Sequence, residues 1–187
     1  MNYADLARKA NMESKYEFLS NGNLNVEHAA IMYKNFGGKP TKFNPIGGKR
    51  TFDLCVSKDI ADTLKANHWN VKAEDIDGSD DKLYHTEIVV NENGNPPPCI
   101  YKTSEFNGKK TKVIMRPEYW CRIDGMKDDG SAGDNITNVD VMVHPYLHGR
   151  NSADPDAKKG YLSTMFASIA SVNVFGGKYD EYEEVEE

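Results

Sequence analysis

Residues 33–56 read YKNFGGKPTKFNPIGGKRTFDLCV, and this stretch decides the fold that we expect. At its start, residues 29–34 alternate with the two-residue period of a β-strand, and TFDLCV at 51–56 has the composition of a returning strand. Two Gly-Gly pairs and two prolines lie between these segments, and such residues favour turns over regular structure. Residues 29–56 are therefore predicted to form a β-ribbon with a long loop.

The rest of the chain is predicted to form mainly short strands separated by turn sequences. Further strands are expected at 68–76, 83–91, 99–106, 110–116, 138–149 and 160–172. Asn107-Gly108 is a strong signal for a β-hairpin, and Ser57 can N-cap one helix that runs to Asn67. The first dozen residues fit either a short helix or a loose arm. This pattern favours a mainly β protein whose sheet forms a closed or nearly closed small barrel.

Charge is distributed unevenly along the chain. The formal net charge is -6, yet no Asp or Glu occurs from His28 to Phe52, a segment with five lysine and arginine residues. Residues 179–187 read YDEYEEVEE and contain six acids: Asp180, Glu181, Glu183, Glu184, Glu186 and Glu187. Without these six, acids and bases balance at 23 each. The sequence thus predicts a basic patch and a disordered acidic tail at 176–187.

The basic segment is typical of proteins that bind single-stranded nucleic acid, which need cations for phosphates and aromatic faces for unstacked bases. The predicted phosphate contacts are Lys34, Lys39, Lys42, Lys49 and Arg50, and the predicted stacking residues are Phe36 and Phe43. Tyr33 and Phe52 are assigned to the core, because alternating strand positions must face inward. A second basic and aromatic segment runs from residue 101 to residue 122 and supplies Tyr101, Lys102, Arg116 and Trp120. Trp120 fits either the core or a stacking platform.

Catalytic and metal sites are not expected, and neither is a cofactor. His85-Thr86-Glu87 followed by Pro98-Cys99 is similar to the start of a zinc deaminase signature, but Lys102 stands where the second cysteine is required. Neither a Cys-x-x-Cys motif nor a P-loop occurs in the sequence. The three cysteines and the lack of an apolar stretch near the N-terminus predict a reduced, intracellular protein without a secretory signal.

Several of these motifs resemble those of single-stranded DNA-binding proteins from tailed phages. The similar segments are 33–56, HWNVK at 68–72, NPPPCIYKTS at 95–104, NVDVMVHPYLHG at 138–149 and GYLSTMFASI at 160–169. In its organisation, a binding domain followed by an acidic tail, the chain is similar to the acidic-tailed replication proteins of T7-like phages. His68 replaces a glycine of the family pattern, and Glu187 ends the tail where an aromatic residue is common.

The resemblance implies an OB-like small barrel with one helix, and it implies binding of single-stranded DNA without sequence preference in phage replication and recombination. We expect an N-terminal arm or short helix at 1–23, the binding domain at 24–175 and the tail at 176–187. Trp69 joins the candidate stacking residues. The expected partners are single-stranded DNA and, through the tail, phage or host replication and recombination proteins in the bacterial cytoplasm. A homodimer is an open possibility.

Three alternatives remain at this stage. An RNA-binding or annealing protein would use the same stacking and phosphate contacts. A non-enzymatic phage inhibitor or structural protein could use an acidic surface to mimic DNA, although the acid-free segment from 28 to 52 is unsuited to that role. An enzyme is disfavoured because no convergent set of catalytic residues is apparent.

Overall fold

The strands expected from the sequence are present in the computed structural model, which describes residues 2–106, 108–125, 136–147 and 153–169. Within those residues the strands are β1 (Lys15–Phe18), β2 (Leu24–Glu27), β3 (Ala30–Asn35), β4 (Thr51–Val56), β5 (Val71–Asp75), β6 (Lys82–Val89), β7 (Cys99–Phe106), β8 (Lys109–Ile114), β9 (Ile136–Leu147) and β10 (Lys158–Ile169). The helices are α1 (Tyr3–Met12), α2 (Lys58–Ala66) and α3 (Cys121–Asp124), with a 3-10 helix at Pro117–Tyr119. This content confirms the predicted mainly β class.

Five strands curl around the main core in the order β9, β10, β6, β4, β3. Neighbours in this order are antiparallel except β10 and β6, which pair in parallel. The backbone N–H of Ala29, just before β3, donates to the carbonyl oxygen of Val139 in β9 at 2.7 Å. This bond brings the two ends of the path together, and the small β domain is OB-like, as expected.

The predicted ribbon and hairpin are both confirmed. β3 and β4 pair across the long loop, and β7 and β8 pair across the predicted Asn107-Gly108 turn. The hairpin is attached to the rest of the sheet because β7 pairs in parallel with β10, with Tyr101 opposite Phe166. β5 extends the sheet beside β6, and the β1–β2 hairpin extends it beside β9.

The main core fills the inside of this curled sheet. Strand alternation places apolar side chains there from every strand of the curl, and α2 adds Ala61 and Leu64. The largest fully buried side chains include Trp120, Phe36, Phe52, Leu54, Ile88, Ile100 and Met165. As predicted, α2 is N-capped by Ser57, whose side chain accepts a hydrogen bond from the backbone N–H of Ile60.

Residues 2–23 pack against the sheet, and they contain the short helix that the sequence allowed at this end of the chain. α1 lies on the outer face of β3, β4 and β6, where Leu6, Ala7 and Ala10 form a second apolar cluster with Ala30, Met32, Cys55 and Leu83. The boundary expected at residue 24 divides a hairpin, because β1 pairs with β2 along its whole length. Neither strand was predicted from the sequence, because each has only four residues, too few to show a clear period.

The structure also differs from the prediction in its helices. The short helix allowed for the first dozen residues forms as α1, whereas the four-residue α3 and the 3-10 helix at Pro117–Tyr119 were not expected. The segment 68–76 forms a strand only at Val71–Asp75, since His68 has a left-handed backbone with φ of 68°. No helix in the described residues is long and apolar enough to span a membrane. The predicted tail at 176–187, with its six acids, lies outside the described residues.

Candidate nucleic-acid interface

The base of the β3–β4 loop is fixed by the segment that contains the 3-10 helix and α3. The carboxylate of Asp124 accepts hydrogen bonds from the backbone N–H groups of Phe36 at 2.7 Å and Gly37 at 2.9 Å. A side chain at position 37 would place its Cβ 2.8 Å from the Cβ of Cys121, so glycine is required for this close approach. On the returning side, Arg50 donates to the carbonyl oxygen of Pro117 at 2.7 Å.

Phe36 and Trp69 were predicted to stack on bases but are core residues, and of the two roles open to Trp120 the structure gives it the core. Phe36 is fully buried and stacks on Phe52 with ring centroids 5.2 Å apart. Trp120 is also buried, and its indole N–H donates to the carbonyl oxygen of Met115 at 3.0 Å. Trp69 is 6% exposed and packs in the main core. These large rings fill the inside of the curled sheet, where a base cannot reach them.

Tyr33 shows the opposite error, because it was assigned to the core and is 56% exposed. The β3–β4 register shifts between Met32 and Asn35, and Tyr33 has a positive φ of 52°. This irregularity breaks the alternation that the sequence argument assumed and turns the tyrosine outward. Its hydroxyl group forms a hydrogen bond with that of Tyr3 in α1. Phe52, by contrast, is buried as expected.

The predicted cations fall into three groups. Lys39, Lys42 and Arg116 are exposed, whereas Lys34 is half-buried and Lys102 is buried. The remaining two are engaged with acids: Lys49 pairs with Glu87 at 2.9 Å, and Arg50 pairs with Glu92 at 3.4 Å. The guanidinium of Arg50 also lies 5.2 Å from the ring centroid of Trp120. Burial and these contacts make Arg50 and Lys102 packing residues more than phosphate ligands, which corrects their predicted role.

The tip of the loop keeps the predicted combination of an aromatic ring and cations. Phe43 is 90% exposed, and the ammonium group of Lys42 lies 5.4 Å from its ring centroid. Ile46 is 94% exposed on the same tip. Paired backbone hydrogen bonds between Thr41 and Asn44 hold the turn that presents them. The tip therefore offers an aromatic face beside positive charge.

A second aromatic surface lies on the face of β7 and β10 opposite to the main core. The rings of Tyr101 and Phe166 stack with centroids 5.0 Å apart and an interplanar angle of 11°. The ammonium group of Lys112, on β8, lies 4.8 Å from the centroid of Tyr101 and 6.0 Å from that of Phe166. We call these three residues the platform.

A groove of about 720 Å³ continues from the platform across the β7–β8 hairpin. It is lined by several hydroxyl groups, two lysines and one acid: Thr103, Ser104, Thr111, Thr137, Ser168, Lys110, Lys112 and Glu105. Some of the hydroxyls bond to each other, as in the 2.8 Å contact between Thr103 and Ser168. Hydroxyl and ammonium donors beside an aromatic ring can bind phosphate and sugar groups.

Sequence reasoning identified Tyr101 and placed Lys112 in the second basic segment, but it missed Phe166. Phe166 occupies a predicted strand, and alternation with the buried Met165 and Ala167 indicates that its ring faces outward. Its proximity to Tyr101 depends on the parallel pairing of β7 with β10, which joins segments distant in sequence. No local pattern contains that information.

A third group of rings lies further along the same side of β9 and β10. The ring of Tyr161 is 5.8 Å from that of His144 and 5.2 Å from that of Tyr146. His144 Nδ1 lies 2.7 Å from the hydroxyl oxygen of Ser163, and burial lowers the pKa of this histidine. Among the described residues no group of His, Cys, Asp or Glu side chains is arranged to hold a metal ion.

Solved structures similar to this chain include three of the single-stranded DNA-binding protein from bacteriophage Enc34. The form in complex with ssDNA is 12% identical, covers 84% of this chain and 92% of its own length, and superposes with a TM-score of 0.47. The C-terminal truncation is 13% identical with coverages of 83% and 90% and a TM-score of 0.43. A third structure is 11% identical, with coverages of 89% and 92% and a TM-score of 0.43.

Comparison with curated protein sequences finds no significant match. A family model described as "Putative phage ssDNA-binding domain" matches residues 13–187, which include β1 to β10 and the acidic tail. This match covers far more than half of the sequence. The chain belongs to the phage single-stranded DNA-binding domain family.

Proposed function

We propose that this chain binds single-stranded DNA without sequence preference and protects it during phage DNA replication and recombination. The observation that carries the proposal is the platform, in which Lys112 lies over two stacked rings at the surface of the sheet. Unstacked bases of any identity present a ring face, so stacking on such a surface is tolerant of sequence. Family membership supports the same activity.

The exposed loop tip would add contacts to the phosphates and one more ring. Lys39, Lys42 and Phe43 are all exposed there and are not engaged with the core. Lys49 and Lys159 both pair with the single carboxylate of Glu87, at 2.9 Å each, which leaves one net positive charge at this point. The proposed DNA contacts outside the two platform rings are Phe43 and the following cations: Lys39, Lys42, Lys49, Lys159, Lys110, Lys112 and Arg116. Trp69, Trp120, Phe36, Arg50 and Lys102 are not included, because burial or internal contacts occupy them.

The direct test is a fluorescence-anisotropy titration with labelled dT oligonucleotides and matching duplexes at two salt concentrations. We expect tight binding to dT and weaker binding to duplex, with a log–log salt slope of about -0.7 for each phosphate neutralised. Phe166→Ala should weaken dT binding by about 1–3 kcal/mol, because one stacking face is lost.

Phe18→Ala is the matched control for that variant, since Phe18 is exposed on β1 and lies outside the platform. Its dT affinity should equal that of the wild type. Thermal denaturation of both variants separates loss of binding from loss of folding. Equal affinities for Phe166→Ala and the wild type would rule out the platform as the DNA site, and binding without salt dependence would contradict the proposed phosphate contacts. The same titration with a matching RNA oligonucleotide, compared with dT, tests the RNA-binding alternative.

We further propose that the acidic tail competes with DNA for the cationic surface and recruits replication or recombination proteins when DNA displaces it. A tethered anion acts at a high effective concentration, so six carboxylates can compete with phosphates. Deletion of residues 178–187 should therefore tighten dT binding at low salt. The gain should shrink at high salt, because screening weakens tail and DNA contacts together.

A variant that keeps the tail length but converts its six acids to amides controls for the loss of chain. It should bind dT as tightly as the deletion does if charge is the cause. Unchanged or weaker binding after deletion would contradict competition by the tail.

A further inference from the structure

A neutral cleft of about 630 Å³ lies between the loop after β6 and the paired strands β9 and β10. This size is within the range of roughly 300–1,000 Å³ that small-ligand pockets occupy. One wall is the asparagine- and proline-rich loop, and the other carries aromatic rings of the sheet. The lining includes Asn91, Asn93, Asn95, His144, Tyr146 and Tyr161.

The charge of the cleft restricts what can bind in it. None of its lining residues, all within the described part of the chain, is Asp, Glu, Lys or Arg. Burial lowers the pKa of His144, so that side chain is neutral near pH 7. A phosphate or an acidic peptide would have no cation to pair with inside the cleft. A neutral ligand is therefore favoured over the acidic tail or the DNA backbone.

The remaining chemistry of the cleft suits a planar, neutral ring with hydrogen-bonding edges. Tyr146 is 58% exposed and presents its ring beside that of Tyr161. Asparagine amides offer both donors and acceptors, which is what the edge of a nucleobase requires. We infer that this cleft receives one unstacked nucleobase of the bound strand, an inference that rests on the proposed function.

The surroundings of the cleft fit the path of a strand. Lys159 lies directly opposite Tyr146 in the β9–β10 pairing, so a cation is next to the ring but outside the cleft. Tyr161 and Phe166 lie on the same strand. The register shift between Leu162 and Thr164 lies between them, and with it both rings are on the same side of β10. One strand could thus stack on the platform and insert a base further along β10, with phosphates near Lys159.

Tyr146→Ser tests the inference, because this exposed ring can be removed with little effect on the core. We expect dT binding at least roughly fivefold weaker, the effect of losing one stacked base. Leu147→Ser is the matched control, since Leu147 is the next residue, is 57% exposed and does not line the cleft. Its affinity for dT should remain that of the wild type.

Photocrosslinking provides a second readout that does not depend on affinity. A dT oligonucleotide with 5-iodouracil substitutions should crosslink to peptides that contain Tyr146 or Tyr161, and mass spectrometry identifies them. Wild-type affinity of Tyr146→Ser, with crosslinks confined to Tyr101, Phe166 or Phe43, would overturn the cleft inference but leave the proposed function intact. Absence of dT binding by the wild type would overturn both.

Discussion

Phe36→Ala is expected to lower the free energy of unfolding by about 3–5 kcal/mol, the usual effect of removing a buried aromatic ring. Phe36 is fully buried, and its ring stacks on that of Phe52 in the main core. Its backbone N–H also donates to Asp124, so the fold cannot easily collapse into the cavity that alanine leaves. Urea denaturation with an unchanged m-value would measure this loss.

Phe43→Ala is the matched control, because the same substitution is made in the same loop at a ring that is 90% exposed. The free energy of unfolding should change by less than about 0.5 kcal/mol, as for most surface substitutions. The two variants should also differ in DNA binding: Phe43→Ala weakens dT affinity, whereas folded Phe36→Ala retains it. A stable Phe36→Ala protein with weakened dT binding would restore Phe36 as a stacking residue.

His85→Gln is expected to destabilise the protein by about 3–5 kcal/mol near pH 6, the typical cost of removing one partner from a buried ion pair. His85 is 1% exposed, and its Nδ1 lies 2.5 Å from Oδ2 of the buried Asp53. Its Nε2 lies 3.0 Å from Oε1 of Glu74. Glutamine cannot take up a proton and cannot bond to both carboxylates with this geometry.

The destabilisation should depend on pH in a defined direction. Burial alone would lower the pKa of His85, but the hydrogen bonds and charges of Asp53 and Glu74 outweigh burial and raise the pKa. A raised pKa in the folded state stabilises the protein fully below the unfolded value of about 6.5. That contribution is lost as the pH rises through the folded pKa. The difference between wild type and His85→Gln should therefore shrink as the pH rises above about 6.5.

His68→Gln provides the control, because His68 is about half exposed and faces a single acid, Asp154, at 3.2 Å. Surface pairs of this kind contribute about 0–1 kcal/mol, so this variant should stay close to wild type. Urea denaturation of all three proteins at several pH values measures the comparison. A constant difference between wild type and His85→Gln across this range would show that His85 does not change its protonation there.

Local signals in the sequence predicted the elements whose causes are local. The β3–β4 ribbon, the β7–β8 hairpin and α2 all form where alternation, turn residues and a capping serine indicated them. These signals act between residues a few positions apart, so they can be read from one sequence. The same holds for the exposed Phe43, which follows Lys42 in a segment rich in turn residues.

Phe36 and Tyr33 have the reverse of their predicted positions, which shows that neighbouring residues in the sequence do not determine which ring is buried. Both residues lie where β3 enters the loop; alternation placed Tyr33 inside, and the glycine and lysine neighbours of Phe36 placed its ring outside. The register shift in β3 and the contacts of Asp124 reverse that assignment. Asp124 is far away in the sequence, so its hydrogen bonds to the loop cannot be inferred from the residues around Phe36.

By itself, the sequence determined the mainly β class, the basic segment between β3 and β4, the six acids at 179–187 and the absence of common catalytic motifs, because composition, period and spacing are properties of the chain. Only the tertiary structure decided which aromatic residues are available to a strand of DNA. It buried Phe36, Trp69 and Trp120 in the core and brought Phe166 beside Tyr101. Pairing of distant strands sets which ring faces solvent and which rings meet, and that pairing depends on the packing of the whole sheet.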